Sequence, residues 1–319
     1  MTRNRSRIWP VVITVTLGLT VSACGGKGNG RHNQTAPSST ASANPAASGS
    51  PSGQGKASHV FYEGFEQAGD NGWRPTINDA TDAQRKNSLA TIEQQPTGPI
   101  RQVTSSVRDG SHALQMTVPH ALGSFRSEIA HPGVPMGSEY WYGFSIYLPP
   151  NWQVDSQSNI LAQWHGRIGK DTPKTKGDGT GQPPVALAVS GGEWQMKMHW
   201  NSEGPKFEGP GSGTRTFKLG SIKTGAWVDF VMHAKWSHGS DGLVQLWKGG
   251  QQVVNYTGPD EYNNKQGPYF KIGIYHPSWK TSNASDYHKD TAATRPITVY
   301  DDDIRIAQAP ATYTDVAPR

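Results

Sequence analysis

After residue 58, apolar and polar positions alternate with a period of two in one short run after another, and no segment sustains the 3.6-residue apolar period of an amphipathic helix. The clearest run places Tyr140, Tyr142, Phe144, Ile146 and Leu148 on one side of a strand that Pro149 and Pro150 end. The same period predicts strands over 59–66, 113–118, 125–129, 159–165, 185–189, 193–200, 227–236, 243–247, 252–256, 269–275, 297–300 and 304–306. Gly191-Gly192 and Gly249-Gly250 supply hairpin turns, whereas 67–99 and 170–184 carry little pattern and read as loops. Many close-spaced strands with single-face apolar patterning predict an all-β fold, a two-sheet antiparallel sandwich of the jelly-roll kind with a concave groove.

Several of these strands carry chemistry on the face turned away from the core. In 269–275, Tyr269, Lys271, Gly273 and Tyr275 face one way and Phe270, Ile272 and Ile274 the other. A glycine inside a strand marks a place where another group comes close to the backbone. Arg126 and Glu128 share a face, and alternation in 159–165 puts Leu161, Gln163 and His165 together with Trp164 opposite. In 193–201 Gln195, Lys197, His199 and Asn201 alternate with Trp194, Met196, Met198 and Trp200. Each set alone is an ordinary solvated strand face; side by side on one sheet they form a long groove suited to a chain of sugars.

Composition changes the picture at the amino end. Arg3, Arg5 and Arg7 precede an apolar stretch over 8–19, too short for the ~20 residues that cross a bilayer, and Val21-Ser22-Ala23-Cys24 follows. Residues 1–23 read as a secretion signal whose end resembles the lipobox of bacterial lipoproteins, which implies lipid attachment to Cys24. Residues 24–57 hold no Phe, Trp or Tyr and read as a disordered tether, leaving 58–319 as one domain. Cys24 is the only cysteine, so that domain folds without a disulfide. The expected location is extracellular, on the cell membrane through the lipid alone. The formal +5 charge arises in the leader and tether: the domain has 24 basic and 25 acidic residues, which argues against a nucleic-acid partner. It is expected to act as a monomer.

Arg126, Gln163, His165, Lys271 and Tyr275 make a coherent set for one reaction. A uronic acid polymer is broken without water when the C5 proton, beside the carboxylate, is removed and the C4 oxygen is expelled. Donors and cations that neutralise the carboxylate let it accept charge as an enolate. His165 or Tyr275 can take the proton, and a tyrosine can return one to the departing oxygen. The scheme requires no cofactor. Glycoside hydrolysis would need paired carboxylates on one strand face, a pattern missing here; a sandwich that binds sugars without cutting them is the remaining alternative.

Arg126-Ser127-Glu128, Gln163-Trp164-His165 and 269–275 resemble, in order, the three signature segments of jelly-roll alginate lyases. The surrounding sequence is similar to the heparin lyase I and glucuronan lyase group. The resemblance implies a polysaccharide lyase acting on an acidic polysaccharide. By position, Gln163 and Arg126 would neutralise the uronate, with His165 as base or neutraliser and Tyr275 as acid and base. Lys271 would hold a neighbouring sugar or depress the tyrosine pKa, and Glu128 would orient Arg126; Lys197, His199 and Asn201 would extend the substrate row. Trp164 replaces an aliphatic residue of the alginate lyases and His276-Pro277 a polar amide, which points away from alginate. Glu63, Glu66, Asp301, Asp302 and Asp303 could supply oxygen ligands to a structural calcium, as in related sandwiches.

Overall fold

A computed structural model describes residues 59–67, 69, 71–78, 98–167, 181–280 and 295–319. The secretion signal, Cys24 and the tether lie outside the described residues, as does most of the 170–184 loop. Among the described residues no helix is long and apolar enough to cross a membrane. In chain order the strands are β1 (Val60–Glu63), β2 (Arg74–Ile77), β3 (Ile100–Val103), β4 (Ala113–Val118) and β5 (Arg126–Ala130). β6 (Glu139–Leu148), β7 (Asn159–His165), β8 (Val185–Ser190), β9 (Glu193–Asn201) and β10 (Ser212–Ser221) follow. The last are β11 (Ala226–Lys235), β12 (Leu243–Lys248), β13 (Gln251–Thr257), β14 (Tyr269–Tyr275) and β15 (Ile297–Gln308), with a short helix α1 (Tyr313–Val316).

The strands form two antiparallel sheets, the jelly-roll sandwich that the alternation predicts. One runs β13-β12-β11-β6-β15-β4-β3 with β1 paired to β15, and the other runs β10-β9-β8-β7-β14-β5-β2. Between them lies an aromatic core. Phe270 of β14 meets Trp164 of β7 at 5.0 Å, and Tyr142 and Phe144 of β6 at 5.5 and 5.6 Å. Trp164 is therefore a core residue with no exposure. Its departure from the alginate lyase pattern concerns packing between the sheets and has no contact with the polar face.

Two neighbouring strand pairings shift register at the same level. The β7–β8 register shifts between Ile160 and Ala162, so Leu161 turns into the core beside Trp164, and Ile160 joins Ala186, Ala188 and Tyr275 on the opposite face. This corrects the expected grouping of Leu161 with Gln163 and His165: an extra residue in a bulge flips the strand's parity. The β14–β7 register shifts between Ile272 and Tyr275, where Gly273 adopts φ +126. A Cβ there would stand 2.5 Å from the Ser127 carbonyl oxygen and 2.6 Å from Met116 Sδ. The close approach that calls for this glycine is made by β5 and the core rather than by a ligand.

Sequence patterning misses β2, β3 and β10. β2 and β10 are the two edges of their sheet. Pro75 is tolerated there because an edge strand leaves half its donors unpaired, and β10 exposes residues on both faces, which erases the period-two signal. In the other direction, 297–300 and 304–306 belong to one strand, β15, kinked where Asp303 takes φ +48. Gly273→Ala should cost more than ~1 kcal/mol because its native φ and its neighbours both exclude a methyl group. Urea unfolding checks this; a midpoint equal to the parent's would show that the bulge relaxes freely.

Candidate active site

β14 runs between β5 and β7 in the middle of its sheet, and register alone lines up the polar face. Tyr275 pairs with Arg126 and Gly273 with Glu128 across the β5 side. On the β7 side Lys271 pairs with Gln163, Tyr269 with His165 and Tyr275 with Ile160. The five residues singled out for elimination chemistry therefore share one face of one sheet. His165 and Tyr275 stand at its two ends, their pairing positions five residues apart on β7, or about 16 Å of strand at ~3.3 Å per residue.

Between them lies a charged floor centred on Glu128, which is 1% exposed. Its Oε1 accepts Gln163 Nε2 at 2.5 Å and its Oε2 accepts Lys271 Nζ at 2.5 Å. Arg126 Nε lies 3.7 Å from the same Oε2. Two cations around one carboxylate leave a net positive charge in a nearly dry place, where it acts more strongly than in water. Lys271 is 2% exposed, so it belongs to the floor and is not placed to grip a neighbouring sugar as expected. Glu128 holds three groups rather than orienting Arg126 alone.

Arg126 has a second anchor that sequence reading missed. Asn78, at φ +46, accepts the Phe125 and Arg126 amide protons on Oδ1 at 2.8 and 3.1 Å, and its carbonyl accepts Arg126 Nη2 at 2.8 Å. Asparagine visits the left-handed region at low cost, which is the signal that could have marked it. The Arg126 guanidinium also lies 5.5 Å from the Tyr275 ring centre, a cation–π arrangement. At the other end, His165 Nδ1 is 3.0 Å from the Gly166 carbonyl. A carbonyl only accepts, so Nδ1 carries the hydrogen and Nε2 of the neutral ring is the basic nitrogen. The Tyr269 ring, 5.4 Å away, walls that end.

Ala186 and Ala188 of β8 separate this floor from the β9 row, pairing with Lys197 and Gln195 respectively. Lys197 Nζ donates to Ser158 Oγ at 3.4 Å, and His199 Nδ1 donates to the Pro183 carbonyl at 3.0 Å. Burial, reinforced by the Lys197 charge, pushes the His199 imidazole below its ordinary value against that hydrogen bond. Asn201 does not continue the row. Its Nδ2 donates to the Lys206 and Glu208 carbonyls, and its Oδ1 accepts the Glu203 and Gly204 amides. All of its polar capacity folds the loop after β9, so it has none for a sugar.

The expected calcium ligands do not converge. Glu63 accepts the Phe65 amide and Asn71 Nδ2, Glu66 binds the 111–112 turn, and Asp303 pairs with Arg305. Asp302 accepts the Arg108 and Asp109 amides, and burial raises its carboxyl to about 6. Asp301, fully buried and without a hydrogen-bond partner, is pushed well above the carboxylate range by that burial and by Asp302. Among the described residues no group of three or more His, Cys, Asp or Glu side chains is placed to share a metal ion.

Removing one partner of a buried ion pair strands the other charge. Glu128→Gln should therefore destabilise the domain by ~3–5 kcal/mol, and adding Lys271→Met should recover part of the loss. Urea titration of the two variants tests this; equal stability of Glu128→Gln and the parent would dismiss the hub.

Comparison with known proteins fits this arrangement. The family model described as "Polysaccharide lyase" matches residues 77–305. No curated protein matches the chain. Among solved structures, the endo-β-1,4-glucuronan lyase of the fungus Trichoderma reesei superposes with a TM-score of 0.63 at 22% identity, over 81% of this chain and 98% of that one. Alginate lyase A1-II', a member of polysaccharide lyase family 7, gives a TM-score of 0.48 at 15% identity, over 74% of this chain and 94% of that one. With the match spanning the strands that carry the floor and all three signature segments, the chain belongs to the polysaccharide lyase family and is a polysaccharide lyase.

Proposed function

We propose that this lyase cleaves a uronate-containing polysaccharide by β-elimination, with the Glu128-centred floor as the site that receives the uronate carboxylate. The observation that carries the reading is the net positive charge held by Arg126 and Lys271 around Glu128, between His165 and Tyr275. A carboxylate over that charge becomes a better electron acceptor, and the enolate that forms when C5 loses its proton is stabilised where its charge develops. Arg126, the least buried of the floor's donors, is nearest to it, and Gln163 and Lys271 act from beneath through Glu128. Tyr275 delivers a proton to the C4 oxygen. In glucuronate and mannuronate the C5 proton and the C4 oxygen share a face, so Tyr275 can first take the proton it later returns, with His165 adding to neutralisation. In guluronate and iduronate they lie on opposite faces, and His165, with Nε2 as its basic nitrogen, is the base.

The fold shared with a glucuronan lyase makes glucuronan the first polymer to test, ahead of heparin-type polymers and alginate. The domain is proposed to work outside the cell, held on the membrane by lipid at Cys24. Replacement of Cys24 by alanine should move the protein from the membrane fraction to the medium, and unchanged membrane recovery would dispose of the anchor.

Turnover of glucuronan should release product with the ultraviolet absorbance of an unsaturated uronate. Tyr275→Phe and His165→Ala are each expected to lower kcat by roughly 10²–10⁴-fold, the range of a lost proton-transfer group, while the variants remain folded. The chemistry draws on no metal, so dialysis against a chelator should leave the rate unchanged. A wild-type protein that retains uronate polymers without forming a double bond would replace elimination by binding alone.

A further inference from the structure

The residue that follows Tyr275 has no part in the chemistry above, yet it is tied down with unusual completeness. His276 is fully buried. Its ring lies on Trp279 with 4.5 Å between centroids and 18° between planes, and its Nε2 is 3.1 Å from Asp155 Oδ2. Asp155, also buried, belongs to the segment between β6 and β7. There its Oδ1 accepts the Gln157 amide at 2.9 Å and its carbonyl accepts the Gly191 amide at 2.7 Å. The pair thus joins the end of β14 to the approach to β7 and to the turn between β8 and β9. The His276 amide donates to the Phe125 carbonyl at 2.8 Å, one step beyond the pairing of Tyr275 with Arg126.

The chemistry of the ring is fixed as well. A carboxylate accepts, so Nε2 carries the hydrogen. Nδ1 is buried with no hydrogen-bond partner, and a proton there would be an unsatisfied donor in a dry site. This geometry favours the neutral ring in one tautomer; burial lowers its pKa against the hydrogen bond and charge of Asp155 and a contact with its own backbone. Sealing a polar pair into a corner carries a desolvation cost, and Trp279 already provides the packing. What the hydrogen bond adds is direction: together with the Trp279 stack it fixes the orientation of the ring at the end of β14.

We propose that His276 and Asp155 are a positioning pair for the lyase reaction, holding the Tyr275 backbone so that its phenol stays beside Arg126 at the end of the charged floor. The inference rests on the proposed role of Tyr275, and its test separates the two. His276→Phe keeps a ring over Trp279 and deletes the Nε2 donor, Asp155→Ala deletes the acceptor, and Asp155→Asn retains one. The first two should lower kcat by roughly 10- to 100-fold, the effect of a small misplacement of a reacting group, with KM within about twofold, and Asp155→Asn, which keeps an acceptor for only one of His276 Nε2 and the Gln157 amide, should fall between Asp155→Ala and the wild type. In ¹³C-tyrosine spectra the Tyr275 signals, assigned by their loss in Tyr275→Phe, should shift in His276→Phe. Unchanged kcat, a loss confined to KM, or unmoved Tyr275 signals would overturn the proposal. If the variants fail to fold, ¹⁵N-histidine spectra of the wild-type protein at neutral pH decide. A slowly exchanging Nε2 proton on His276 is expected, and the Nδ1 tautomer or fast exchange would overturn the pair. Those spectra hold their meaning even if no uronate polymer is cleaved.

Discussion

One buried carboxylate organises the working face of this domain. Glu128 is enclosed by Lys271, Gln163 and Arg126, drawn from three adjacent strands, and none of these groups would be tolerated so far from solvent without the others. The desolvation cost of such a cluster is large, and replacing it with apolar side chains would often give an equal or better fold. Its retention makes sense in terms of what it offers a ligand. An excess of one positive charge, fixed in place before the substrate arrives, needs no reorganisation when negative charge develops above it.

The backbone arrangement follows from the same requirement. Unbroken pairing with β5 sets Tyr275 beside Arg126, β7 sets Lys271 beside Gln163, and the register shift at Gly273 brings Tyr275 opposite Ile160. The matching irregularity in β7 sends Leu161 inward and brings Ile160 out beside Tyr275. Behind both strands the stacked Trp164 and Phe270 are locked against β6, so the floor rests on a rigid support. The proton-transfer groups flank the floor rather than crowd together, leaving room for a sugar between them.

Most of the architecture is legible in the chain because a two-residue period records directly which face of a strand is dry. It fails where that record is blurred. Edge strands such as β10 wet both faces, and a proline at Pro75 looks like a break in any strand that is assumed to be central. Bulges are invisible to a fixed period, which is why Leu161 is assigned to the wrong side. The shared face is readable as a set: Arg126, Gln163 and Lys271 gather on Glu128, Tyr275 lies against Arg126, and His165 stands at the far end of the same face. Their individual tasks depend on side-chain depth, which a pattern does not encode. Lys271 looks like a ligand and is a buried counter-charge; Asn201 looks like a ligand and is a loop staple. Asn78 and the His276–Asp155 pair act through hydrogen bonds between segments far apart in sequence, and nothing local announces them.

The account stands on recognition of a carboxylate by the Glu128-centred floor. The most direct measurement uses the Tyr275→Phe protein, which should bind without cutting, and compares its affinity for a glucuronate oligosaccharide with that for the same oligosaccharide after its carboxyl groups are reduced to alcohols. The account predicts at least tenfold weaker binding of the reduced chain, about 1.4 kcal/mol, at moderate ionic strength. Equal affinity for the two would contradict it.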